Sequence, residues 1–454
     1  MRRIAVALTL LTALSCGAVV GSQAVSAASA PTGGVGGRGT NILVVGIDSR
    51  AGLSAAEKRR LHVGGKGCNC TDVMMLVHLS ENRRRASIVS IPRDSYVTYA
   101  GTTVPALSGK INGAYALGGG PLTVATVEKA TGLHIDHYLE TGFTGFERTV
   151  DNLGGATVCT DTPLRDENSG LDIGAGRHLA DGNGALRYVR ARHVNLRPGD
   201  LGRVRRQQRV VNDLLARLTA EGALNGPIST ARTVRTLLKT VRTDERTGLD
   251  DLVRIGWALG HLRADRTEFA TVPIRLFDHR VPGVGSTLVW DEARSAALWN
   301  ALGADRPITG DTRIQPIAEN PAPADPARIP VRVDDEAVAT ALSANGFVVT
   351  DTSRTAPAVR PAGPPLIRYA TGQEENAATV AAALPGSRLQ ADPALDAVVE
   401  VTLGTAPVRV KTVTYDRNVV DGAPATADRL RCAGAPAAAG DARPVGAAEP
   451  SGRR

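Results

Sequence analysis

The stretch "NILVVGIDSR", Asn41 to Arg50, is an apolar run entered from a polar residue and left on an aspartate, the pattern of a buried β-strand. "DVMMLVHL" from Asp72 and "ASIVSI" from Ala86 repeat that pattern, with polar, turn-like residues between the runs. Leu122–Ala130 and Phe143–Asn152 carry apolar residues at helical spacing, and "LGG" after the second precedes a further strand, "ATVCT". Strands set early and mixed with helices predict an α/β fold with a largely covered central sheet. Val204, Val211, Leu214, Leu215 and Leu218 mark a long amphipathic helix, and helical periodicity continues through "TVRTLLKTV" and "LDDLVRIGWALGHL" to a strand at "EFATVPI".

This first domain is expected over residues 41–305. A proline-rich linker, 306–328, separates it from a smaller α/β unit at 329–405, with strand and helix patterns in "PVRVD", "DEAVATALSANGF", "PLIRYA", "NAATVAAALP" and "AVVEVTLG". A tail at 406–454 has little to bury from about residue 433 and is expected to be disordered from there. At the other end, residues 1–30 join a basic start to an apolar run, Ile4–Val20, and small residues near Ala27–Ala30, the physics of an export signal or a short membrane anchor. Residues 31–40 form a glycine-rich linker. Cys16 invites a lipoprotein reading, but Ala13-Leu14-Ser15 lacks a leucine three places before the cysteine.

The 454 residues are 43% hydrophobic and carry a formal net charge of +8, which suits a polyanionic partner without naming one. Export predicts oxidised cysteines. Cys68 and Cys70 are expected to lie too close for a mutual bridge, so one of them with Cys159 is the expected disulfide. A metal site at "GCNC" is disfavoured, since no matched pair completes a tetrahedral set.

Asp48, at the C-terminal end of the first strand, and Asp72, at the start of the second, lie where open α/β sheets place ligands. They suit a magnesium ion, or equally cap loops. In "SIPRDSY", Pro92 holds the chain extended up to Arg93 and Asp94. Arg93 could fork onto a phosphate or pair locally. Lys110 and Asn112 add a cation and an amide, or a solvated turn. The segment Leu186–Arg209, "LRYVRARHVNLRPGDLGRVRRQQR", holds eight arginines and one carboxylate, Asp200. With "ALRYVRAR" read as a strand, Arg190 and Arg192 share a face. Arg203 and Gln207, four apart on the following helix, share another. Four such groups suit a diphosphate, while Arg187, Arg197, Arg205, Arg206 and Arg209 are expected on a solvated surface. Nucleic acid is disfavoured, because Tyr188 is the only stacking aromatic in the segment and no nucleic-acid module surrounds it. No G-x-S-x-G or H-E-x-x-H motif occurs.

Taken in order, "NILVVGIDSR", "CTDVMMLVHLS", "SIPRDSYV", "GKINGAYALGG", "GLHIDHYLETGFTGFERTVDNLGG", "ALRYVRARH" and "DLGRVRRQQR" resemble the LytR-CpsA-Psr family of cell-wall glycopolymer ligases. The smaller unit resembles the LytR C-terminal domain, with "VRVDDEAVA" in place of an asparagine-glycine turn. The resemblance implies an extracytoplasmic transferase at the outer face of the cytoplasmic membrane. It would move a glycopolymer from a polyprenyl diphosphate carrier to a peptidoglycan hydroxyl, with Mg2+ (Mn2+ as the alternative ion), the lipid tail held in an apolar tunnel. It further implies a central mixed sheet flanked by helices, Asp48 and Asp72 as metal-linked carboxylates, and Arg93, Arg190, Arg192, Arg203 and Gln207 as diphosphate contacts, to which Lys110 is added from its own place in "GKINGAY". Arg93, Asp94, Arg190 and Arg192 become the catalytic set. A diphosphate hydrolase and a non-catalytic lipid- or wall-binding protein are the competing functions.

Overall fold

The computed structural model describes residues 38–432, apart from 51, 65–66, 102–106, 161, 193–199, 221–225 and 352–359. The export segment, Cys16, the tail beyond Cys432, His193 and Arg197 lie outside the described residues. The described residues make up one compact unit.

The three apolar runs are strands β1 (Thr40–Ile47), β2 (Thr71–Leu79) and β3 (Ala86–Ser90). They lie at the centre of a seven-stranded sheet. β1 and β3 each run antiparallel to β2, while His137–Thr141 is parallel to β1 and Thr267–Thr271 parallel to β3. The sheet is therefore mixed. At the end of β1 the register jumps from Gly46 opposite Val73 to Ile47 opposite Thr71. Asp72 is the residue passed over, and such a bulge bends the strand and re-aims the side chain it carries.

The first unit adds helices α1 (Ala55–Arg60), α2 (Gly113–Thr131), α3 (Phe143–Asn152), α4 (Gly182–Arg190), α5 (Asp200–Ala220), α6 (Pro227–Leu237), α7 (Leu249–Gly260) and α8 (Glu292–Gly303), of which α3 and α4 share a core of their own with Val158 and Val210. α2 starts after the Lys110 and Asn112 segment and ends at Gly132, whose φ of 72° only glycine adopts without cost. One sheet face, with Leu43, Val45, Met74 and Leu76, packs on α2 and α8 through Val127, Leu298 and Leu302. The other face packs Ile42 against Val234 of α6 and Leu252 and Ile255 of α7, and Met75 against Val211 and Leu215 of α5.

The smaller unit is a five-stranded sheet with α9 (Glu336–Ala344) and α10 (Glu374–Ala383), closed around Val331, Val333, Ile367, Val380 and Val401.

Three expectations need correction. "ALRYVRAR" is not a strand: Asp181 caps a helix by accepting from the Gly184 amide, and α4 buries Ala185, Leu186, Tyr188 and Val189 at helical spacing. The proline-rich segment is partly core, because Ile308 and Ile314 are buried with the first unit. Residues 406–432, assigned to the tail ahead of the disorder expected from about 433, carry packed elements. α11 (Arg417–Gly422) and α12 (Ala427–Leu430) pack on α5, and Ala425–Thr426 adds an edge strand beside Thr267–Thr271.

The cysteine expectation is also corrected. The structure pairs Cys68 with Cys70, Cα atoms 5.2 Å apart, and Cys159 with Cys432 at 5.9 Å. Asn69, with φ of 48°, reverses the chain tightly enough to bring its two neighbours together. Cys159 is crosslinked as expected, but to a residue 273 positions away rather than to the 68–70 pair.

Candidate active site

Beside the β1–β2 bulge lies a cavity of ≈ 720 Å³, within the range of small-molecule sites. Its walls combine two chemistries. Val44, Met75, Phe143, Phe146, Val189 and Val211 line an apolar part. Five arginines, Arg50, Arg93, Arg190, Arg192 and Arg203, face three aspartates, Asp48, Asp72 and Asp166, on the polar part, so the site carries an excess of positive charge.

Each polar group is placed by an element that the sequence builds locally. Asp48 follows β1 and is 7% exposed; Arg50, two residues on, clamps it with Nε on Oδ1 at 2.8 Å and Nη2 on Oδ2 at 2.7 Å. That hydrogen bond raises the Arg50 pKa against the cost of burial. Asp72, on the bulge, accepts from Arg93 Nη1 at 2.5 Å and lies 3.8 Å from Arg192 Nη2. Burial pushes the Asp72 carboxyl up, but the charges of Arg93 and Arg203, the Arg93 hydrogen bond and the charge of Arg192 together hold it below the usual carboxylate range.

Arg190 ends α4. It donates to the carbonyls of Leu61 at 2.7 Å and His62 at 3.3 Å, and its guanidinium lies over the Phe143 ring, 5.0 Å from the centroid. Burial lowers its pKa, and the nearby charges of Asp48 and Asp72 partly offset that. The main-chain amide of Arg192 donates to Asp166 at 2.5 Å. Arg203 and Gln207 project from α5, 3% and 7% exposed, and Gln207 Nε2 donates to the Val189 carbonyl at 3.3 Å. Burial, then the charges of Arg187 and Arg190, push His62 on the same wall towards its neutral form.

The structure thus brings together Asp48, Asp72, Arg93, Arg190, Arg192, Arg203 and Gln207, with Cys68 on the same wall. It places Asp94 and Lys110 outside the lining, where Lys110 Nζ lies 2.8 Å from Asp94 Oδ1 and Arg93 Nε lies 3.5 Å from Asp94 Oδ2. Arg206 is not a surface residue. It is 7% exposed and donates to the carbonyls of Tyr188 (3.1 Å) and Ala191, fastening α5 to the end of α4.

Sequence reasoning missed Arg50, His62 and Phe143. Arg50 was within reach, since it stands two residues past Asp48 in the first motif. Asp48 and Asp72 offer hard oxygen donors of the kind magnesium takes alongside substrate phosphates. Among the described residues no group of three His, Cys, Asp or Glu side chains forms a full protein cage. The arrangement can hold an amphiphile: a polyanionic head among the arginines and an apolar chain along the sheet.

Comparisons with known proteins bear on the family of the chain. The LytR_cpsA_psr family model matches residues 23–303, and a second model, the LytR cell envelope-related transcriptional attenuator, matches 335–406. The probable cell wall biosynthesis protein LcpB of Corynebacterium glutamicum is 39% identical over 266 residues, 58% of this chain and 61% of that protein. The polyisoprenyl-teichoic acid–peptidoglycan teichoic acid transferase TagU of Oceanobacillus iheyensis is 30% identical over 259 residues, 56% of this chain and 72% of that one. The alignment thus spans about three fifths of the length of LcpB. The crystal structure of Bacillus subtilis TagV overlaps 60% of this chain and 98% of its own, at 23% identity and a TM-score of 0.48. With the first family model covering more than half of its length, this chain belongs to the LytR-CpsA-Psr family.

Proposed function

We propose that the protein is a phosphotransferase that attaches a glycopolymer, carried on a polyprenyl diphosphate, to a peptidoglycan hydroxyl, working in the cell envelope outside the cytoplasmic membrane. The observation that carries this is the two-sided cavity: apolar side chains of the sheet, α3 and α5 on one part, five arginines on the other. A relative, TagU, is named for a transfer of the same class.

The acceptor hydroxyl oxygen bonds to the phosphorus bearing the glycan. The bond from that phosphorus to the bridging oxygen breaks, and polyprenyl phosphate leaves with the electron pair. Arg93, Arg190, Arg192 and Arg203 neutralise charge that moves onto the leaving phosphate, where fixed donors are worth most. The hydroxyl proton goes to a carboxylate, for which Asp48 and Asp94 are the two candidates. Asp48 and Asp72 would hold a magnesium ion, with manganese as the alternative, and the ion would add Lewis-acid stabilisation of phosphate oxygens. Phe143 and Phe146 keep water from the prenyl chain and, with Val44 and Met75, accept its methylenes at roughly 0.8 kcal/mol each.

The test is incubation of the purified protein with a lipid diphosphate glycan, with and without peptidoglycan. Glycan joined covalently to peptidoglycan through a phosphodiester is the expected product. Free glycan phosphate alone would replace this reading with a hydrolase, and bound but unreacted lipid would replace it with a carrier protein.

A further inference from the structure

α6 and α7 pack side by side on the sheet face that also walls the cavity. Both turn their apolar residues to the same core, Val234 from α6 and Leu252 and Ile255 from α7, against Ile42, Val77 and Leu139. Their opposite faces therefore both point away from the sheet. On α6 that outward face carries Ile228, Arg232, Arg235 and, just beyond it, Lys239; on α7 it carries Asp250, Arg254, Trp257 and His261. The spacing of each set is that of one helix face.

Two features of this surface are unusual for a solvated helix pair. Ile228 is 76% exposed and Trp257 40% exposed, large apolar groups left outside although the same helices bury Val234, Leu252 and Ile255. On α6 the charge is also one-sided: "PISTARTVRTL" has two arginines and no carboxylate, while α7 contributes Asp250. Among the described residues no ion pair engages Arg232, Arg235 or Lys239, whereas Arg254 is neutralised by Asp251. An amphipathic tryptophan and an isoleucine among unneutralised cations match the boundary of an anionic bilayer, with apolar groups in the headgroup layer and cations on the phosphates.

The hairpin also adjoins the cavity. Val44 lines the cavity and packs into the α6–α7 core, and Thr141, another lining residue, donates from Oγ1 to the Thr240 carbonyl just past α6 at 3.0 Å.

We propose that the outward face of α6 and α7 is the surface on which the protein rests against a bilayer of anionic phospholipid, which sets the apolar wall of the cavity beside the source of its lipid substrate. The proposal deepens the lipid-carrier reading and rests on it for its purpose, not for its test.

A chain lacking residues 1–33 keeps every core described above and serves for the titration beside the full-length chain. Phosphatidylcholine vesicles with and without phosphatidylglycerol are added, and Trp257 emission is taken as the difference between the wild type and Trp257→Phe. Brominated acyl chains in the anionic vesicles should quench that emission. Arg232→Ala/Arg235→Ala should shift the lipid midpoint roughly 30-fold, each cation near an anionic surface being worth roughly 1 kcal/mol. The same double variant should turn over a water-soluble, short-prenyl diphosphate donor as the wild type does. Unquenched Trp257, an unshifted midpoint, or equal binding of a soluble polyphosphate at Arg232 and Arg235 without quenching would each overturn the surface assignment. Failure of the wild type on the soluble donor would instead overturn the transfer reaction and leave the vesicle result standing.

Discussion

Arg93 Nη1 sits 2.5 Å from Asp72 Oδ1, so a residue just past the third strand restrains the carboxylate on the bulge of the second. The folded-state pKa of Asp72 lies below its ordinary value, so its ionisation stabilises the fold above the unfolded-state pKa. That contribution is lost as the pH falls through the still lower folded value. Asp72→Asn should cost about 1–2 kcal/mol near neutral pH by leaving Arg93, Arg192 and Arg203 facing one another. Its stability deficit should shrink in strong acid. Denaturant melts across acid pH check this, and a deficit independent of pH would exclude the ion pair as its source.

Arg190 commits two of its five N–H donors to the Leu61 and His62 carbonyls and lays its plane on Phe143, so it fixes one wall of the cavity and keeps donors for a phosphate. Arg190→Ala should lower kcat by roughly 10²–10³-fold, the scale of losing one fixed donor to a developing anion. Arg190→Lys should recover little, because an ammonium cannot reproduce the planar fork. Arg165→Ala serves as the control, since its partner Asp172 is also exposed, and should change kcat less than about twofold. Full recovery in the lysine variant would show that charge alone matters.

The two variants bear on what the sequence disclosed. The strands were legible because a run such as "NILVVGI" can only be buried, and Asp48 and Asp72 followed from where those runs begin and end. α4 was misread because Leu186, Tyr188 and Arg190 alternate like a strand, while Ala185, Leu186, Tyr188 and Val189 fit a helix equally. The deciding group, Asp181 capping Gly184, lies before the quoted stretch. Arg190 and Arg192 still reached one cavity, though not through the period-two face that suggested them. The bulge at Asp72, the burial of Arg206 and the partner of Cys159 depend on contacts between distant segments, which leave no local pattern.

Chelation of divalent cations should lower transfer, with magnesium restoring it and manganese substituting. Asp48→Asn and Asp72→Asn should each raise the magnesium concentration needed for half-maximal rate. Asp94→Asn should leave that requirement unchanged, because Asp94 lies outside the cavity lining and is held by Lys110. Titration calorimetry of magnesium with the diphosphate donor present provides the second measurement. Full transfer in excess chelator would leave the arginines as the whole of the electrostatic machinery.

The link from Cys159 to Cys432 ties the end of the described chain to the layer that carries the site. The segment before Cys432 also holds α5, with Asn212 donating to the Ala427 carbonyl at 2.7 Å and Arg205 to the Val420 carbonyl at 3.2 Å. α5 in turn presents Arg203 and Gln207 to the cavity. Cys159→Ser/Cys432→Ser should therefore destabilise the protein by about 2–4 kcal/mol, as opening a long crosslinked loop does. It should also weaken binding of a lipid diphosphate without touching a contact residue. Cys68→Ser/Cys70→Ser opens a far smaller loop and should change global stability much less. In thermal melts, reductant should lower the Tm of the wild type and leave that of Cys159→Ser/Cys432→Ser in place. A wild-type Tm indifferent to reductant would mean that α11, α12 and the edge strand hold to α5 by packing alone.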